Sequence, residues 1–182
     1  MALGFRLVQD VYTVQTRLAL LDNSLTFKVG DLIIPTATGG IVTNDTTAIA
    51  GDLYPIGLIV GFAHKNGQVI GQGTAQTAAN TPAQLITAAD NTSVALYQAQ
   101  YIPVTEDMLL KGTLSAVAGT TGGLSDEKFV YFNLLNAATV NEASVVSYLA
   151  GPLQLISEGL DPMDTTNFTV ICRLVKNSQN RP

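Results

Sequence analysis

The stretch TFKVGDLIIPTATGG (Thr26 to Gly40), continued by IVTNDTTAIAGDLYP (Ile41 to Pro55) and IGLIVGFAHKNGQVIGQG (Ile56 to Gly73), decides the fold. Short apolar runs rich in Val and Ile alternate with Gly, Asn, Asp and Pro, the pattern of closely spaced β-strands joined by tight connections. Phe27 to Ile34 reads as a strand ended by Pro35, and Gly39-Gly40 turn the chain back into a short strand at Ile41 to Thr43. Ile56 to Ala63 is apolar at successive positions, so both of its faces are expected to be buried, as in a central strand. Lys65-Asn66-Gly67-Gln68 then predicts a hairpin, because Asn-Gly readily supplies two positive φ angles.

Upstream of this stretch, Val14, Leu18 and Leu20 fall on one side of a period-two alternation across Tyr12 to Leu21, with Gln15 and Arg17 opposite. A helical stripe through Leu7, Val11, Val14, Leu18 and Leu21 competes; the density of Val and Thr decides for a strand. Asp22-Asn23-Ser24 is turn chemistry and is expected to close a hairpin onto Phe27 to Ile34. Residues 1–11 have no settled period and read as an N-terminal arm, leaving 12–182 as the β-rich domain.

Downstream, Thr74 to Asn80 is rich in Ala, Thr and Gln and reads as a surface loop or a boundary between two lobes. Thr81-Pro82 has the chemistry to cap a short helix through Ala89. Ser93 to Val104 alternates as a strand ended near Pro103, and after Thr105-Glu106-Asp107 either one helical turn or a strand from Met108 to Ala116 fits. Phe129 to Leu135 is an aromatic strand, Ser144 to Leu149 and Leu153 to Ile156 read as a hairpin about Gly151-Pro152, and Glu158 to Thr166 reads as a polar loop. Phe168 to Val175 closes the chain with Phe168, Val170, Cys172 and Leu174 on one face. The expected fold is mainly β: a small β-barrel or β-sandwich-like domain built of hairpins, with at most short helices.

Composition narrows the function. The chain has 182 residues, enough to bury a core without staples. Only 13% are charged against 47% hydrophobic, so the surface must lean on Thr, Asn, Gln and Ser, which suits contact with other protein. A net charge of −5 with scattered basic residues argues against a nucleic-acid partner, since neutralising phosphates needs clustered Lys and Arg. No apolar run approaches the length of about 18 residues that spans a bilayer, so no membrane partner is expected. The single cysteine, Cys172, excludes an intrachain disulfide and reads as a buried, inert thiol.

Catalytic chemistry has little to work with. The sole histidine, His64, has no G-x-S-x-G elbow to serve, and one His with one Cys cannot build the usual zinc sites. Asp31 and Asp52 follow glycines at strand entries, where capping a turn is the natural role. Asp161, Asp164 and Thr165 carry oxygen ligands but not the spacing of a calcium loop, and Gly119 to Gly123 lacks the Gly-Lys-Ser/Thr of a phosphate loop. No enzyme activity, cofactor or metal is expected.

In VGDLIIP, GGIVTND and AGDLYPIGLIVGFA, followed in order by YIPVTEDM, LSAVAGTTGG, KFVYFNLL and FTVICRLVKN, the chain resembles the β-rich head decoration, or cement, proteins of tailed bacteriophages. The resemblance runs from Leu7 to Asn177. It implies a non-enzymatic virion protein that is assembled in the host cytoplasm, binds the outer surface of an assembled shell of major capsid protein and sits there as a homotrimer. Leu3, Phe5 and Leu7 of the arm are the expected capsid or subunit contacts. A ligand-binding or carbohydrate-binding β-sandwich of a tail or surface structure is the alternative.

Overall fold

A computed structural model of the chain describes residues 5–8, 15–44, 55–65, 85–92, 96–105, 108–114, 131–136, 139–146, 153–161 and 164–174. They form strands β1 (Arg6–Leu7), β2 (Arg17–Leu21), β3 (Phe27–Lys28), β4 (Leu32–Pro35), β5 (Ile41–Thr43), β6 (Gly57–His64) and β7 (Leu85–Ile86). The rest are β8 (Tyr97–Pro103), β9 (Leu109–Leu114), β10 (Tyr131–Asn136), β11 (Thr139–Val146), β12 (Leu153–Asp161) and β13 (Asp164–Leu174). The protein is mainly β, with no helix among the described residues.

Five strands close a barrel in the order β2-β5-β4-β6-β8. All neighbours are antiparallel except β2 and β5, and the ring shuts where Leu18 pairs with Gln100 and Leu20 with Gln98. Closure leaves these strands no free edge on which another chain could template. Every strand of the ring sends at least one side chain inward: Leu21, Ile33, Val42, Ile59 and Phe62, Ala99 and Tyr101 share one buried core. Phe27 and Ile86, register partners in the separate β3–β7 pair, join the same core. Each of the Val, Leu, Ile and Phe side chains among them contributes roughly 1.5–3 kcal/mol by leaving water.

The expected strands at Ile41 to Thr43, Ile56 to Ala63 and Ser93 to Val104 are present as β5, β6 and β8, and the Gly39-Gly40 reversal is the β4–β5 hairpin, with Gly40 at φ 82°. Other expectations are corrected. Phe27 to Ile34 is two strands, because Val29-Gly30 turn between them with Gly30 at φ 92°, in the left-handed region that glycine occupies without steric cost. Asp22 does make a turn, its Oδ1 accepting from the Ser24 N–H and hydroxyl at 2.9 and 2.7 Å, but β2 then pairs with β5 and β8 rather than folding back on β3 or β4. The helix expected through Ala89 is instead β7 followed by a hydrogen-bonded turn, with the Asp90 carboxylate accepting from the Thr87 hydroxyl at 2.6 Å and its N–H at 3.0 Å. The Asn66-Gly67 hairpin lies outside the described residues, and β6 runs antiparallel to β8.

The second half forms a sheet ordered β1-β9-β11-β10-β12-β13, with β13 also pairing back onto β9. Of the two readings for the stretch beyond Thr105, the strand is present as β9. The hairpin expected between Ser144 and Ile156 is not formed: β10 lies between β11 and β12 and pairs with both. Glu158 to Thr166, expected as a loop, is the end of β12 and the start of β13, whose hairpin closes at the Asp161–Asp164 pair. Cys172 and Leu174 are buried as expected.

Candidate interaction surface

Two of the residues with chemical potential, Asp31 and Cys172, are held inside the fold. Asp31 is buried; its N–H donates to the Lys28 carbonyl at 3.1 Å while its Oδ2 accepts from the Lys28 N–H at 2.9 Å, so the carboxylate seals the turn between β3 and β4. The Asn44 amide donates to the same Oδ2 at 2.9 Å and to the Thr26 carbonyl at 2.8 Å, tying the end of β5 to that turn. Burial holds the Asp31 carboxyl above the ordinary range, against the lowering effects of the Lys28 N–H, the Asn44 amide and the Lys28 charge. The capping role expected of Asp31 is the one it has; Asp52 lies outside the described residues.

Cys172 is buried in β13, its Sγ 3.6 Å from the Leu110 carbonyl, and burial pushes its thiol up to about 12. A thiol so held is not a nucleophile near neutral pH. His64 ends β6 opposite Tyr97, with ring centroids 5.3 Å apart and planes inclined by 33°. Among the described residues no three His, Cys, Asp or Glu side chains gather where a metal could bind, and no helix is long and apolar enough to cross a membrane.

What the described surface offers instead is one side of the barrel. Successive strand residues point to opposite faces, and Leu32, Ile33 and Ile34 of β4 are all buried, as are Leu58 and Ile59 of β6. The ring is therefore covered on its outer face along β4 and the start of β6. On the other side it is open: Leu18 is 48% exposed and Val60 39% exposed. A β-bulge produces the second of these. The register steps from Ile59 opposite Tyr101 to Gly61 opposite Gln100, leaving Val60 unpaired and turned outward while Ile59 and Phe62 both reach the core.

Leu18 pairs with Gln100, and Gln100 pairs with Gly61 beside Val60, so an apolar residue, an amide and a second apolar residue run in a row across β2, β8 and β6. The next row sets Leu20 against Gln98 and Gln98 against Ala63. The Gln100 amide donates to the Thr16 hydroxyl at 3.2 Å. Across these three strands the one Lys, Arg, Asp or Glu is Arg17. Leu18 and Leu20 share one side of β2 as the alternation predicts, and it is the outer one: Leu21 is the buried side chain, and Leu18 faces out with Leu20 half-buried.

The arm residues sit differently from one another. Phe5 is 1% exposed and Leu7 half-buried, while Leu3 lies outside the described residues. The Phe5 N–H donates to the Gly30 carbonyl at 2.8 Å; Arg6 and Leu7 pair with Lys111 and Leu110, and the Val8 N–H donates to the Leu109 carbonyl at 3.0 Å. Residues 5–8 are thus ordered by the chain itself, not left for a neighbour to order.

No protein-family model matches the chain, and no curated protein matches it in sequence.

Proposed function

We propose that the protein is a structural component of a tailed-phage virion that binds the outside of the assembled capsid and reinforces it. The observation that carries this reading is the open side of the barrel, where Leu18, Gln100 and Val60 present apolar and amide groups with almost no charge. Such a surface suits a wet, polar-rimmed protein contact repeated over a lattice, in which modest individual contacts add through effective concentration. The GD strand entries and the order of motifs support the same reading by resemblance. In this proposal the partners are the major capsid protein and two further copies of the chain. Phe5 is taken up by the protein's own packing, so any contact made by the arm falls to Leu7 and Leu3.

The test mixes the protein with undecorated shells, and separately with unassembled subunits, of a tailed-phage major capsid protein, taken from the phage whose genome carries this chain. Sedimentation should show binding to shells only, and Leu18→Glu with Val60→Glu should weaken it at least about tenfold, because burying two unpaired charges is costly. Equal binding to free subunits, or full shell binding by the folded double variant, overturns the reading.

A further inference from the structure

We infer that Phe5–Val8 is a releasable strap that couples the closed barrel to the second sheet. Its two ends are bonded to different parts of the fold. Phe5 reaches the barrel side through the Gly30 carbonyl, and Gly30 is itself bound to β6 by its N–H to the Ile59 carbonyl at 2.9 Å. Arg6, Leu7 and Val8 are bonded to β9 of the second sheet. The barrel is closed, so its strands offer no edge onto which the second sheet could extend by strand pairing. A short segment that is hydrogen-bonded to both is one link between them.

The seat of the strap is built for an aromatic ring. A Cβ at Gly112 would overlap Phe5, and Gly112 lies in the middle of β9, where glycine is otherwise a poor strand residue. The same β9 residues are held from the other side by β13, Lys111 opposite Ile171 and Leu110 opposite Cys172. Releasing the strap therefore breaks bonds on one side of β9 and leaves the other intact. Two paired residues and one buried ring are few contacts compared with the long β12–β13 and β6–β8 ladders. Elements with few contacts open at lower free energy than the whole molecule. The strap does not depend on what the open side of the barrel binds.

Native-state hydrogen exchange on the intact protein tests the release. The Phe5 and Val8 amides should exchange through an opening with little denaturant dependence, at least about tenfold more populated than the opening that exposes the β6–β8 ladder. If they exchange only with global unfolding, there is no separate strap. Residual dipolar couplings test the coupling. One alignment tensor should fit the barrel and the second sheet of the native protein, and two should be needed for Phe5→Ala, whose strap opening should rise at least about 150-fold. A single tensor for the folded variant, or two for the native protein, overturns the inference. Should Phe5→Ala fail to fold, Val8→Pro, which deletes one strap bond at an exposed residue, gives the same comparison.

Discussion

The Phe5 ring occupies the space that a side chain on Gly112 would need. Two residues far apart in sequence are therefore one packing unit, and their substitutions are expected to be linked. Phe5→Ala should lose about 3–5 kcal/mol by opening a cavity, measured by urea denaturation. Gly112→Ala should also destabilise, and adding it to Phe5→Ala should cost less than it does alone, because the cavity then has room for the methyl group. Strict additivity in that double-mutant cycle would show that the ring does not rest on Gly112.

Asp31 makes stability depend on pH in an unusual direction. Its folded-state pKa is raised by burial above the unfolded value of 3.8. Between the two values the folded protein holds a proton that the unfolded chain has lost, so this group's contribution weakens as pH rises through the window and is recovered below it. Wild type should gain stability relative to Asp31→Asn as pH falls through that window, read as the difference between the two denaturation midpoints. A wild-type midpoint that falls relative to that of the variant on acidification would contradict the burial argument.

Cys172 should resist thiol reagents at neutral pH until the strand opens, since both burial and a thiol held near 12 oppose thiolate formation. Labelling in increasing denaturant should follow the fraction unfolded. Rapid modification of the native protein would place the thiol outside the β9–β13 packing.

On the open side of the barrel, Leu18→Ser should change stability by less than about 1 kcal/mol, because the side chain is already largely in water. Leu21→Ser, three residues on, should cost several times more, since Leu21 is fully buried. Thermal denaturation of the pair distinguishes the observed orientation of β2 from its reverse.

The strands and several of their turns were legible because their signals are local. Gly39-Gly40, Pro35 and the alternation of Ala99 and Tyr101 against Gln98 and Gln100 each act within a few residues. The pairing was not, because nothing near β3 says that its partner is β7, or near β2 that its neighbours are β5 and β8. The open surface was missed for a related reason. Leu18 and Leu20 share the period-two pattern of a buried face, and only ring closure through Leu21 and Ala19 decides which side is inside. For the arm, the missing signal was Gly112, a glycine inside a strand pattern, which marks close approach by another group.

The strap also fixes an order of events during synthesis. Phe5 is made more than a hundred residues before Gly112, and its seat on β9 does not exist until Gly112 has left the ribosome. At about 10 residues per second that is a wait of about ten seconds, during which a Phe that ends almost completely buried has no native place to go. The barrel can shut once Pro103 has emerged, so β1, made before every strand of the ring, takes its seat only after the ring has already begun to close.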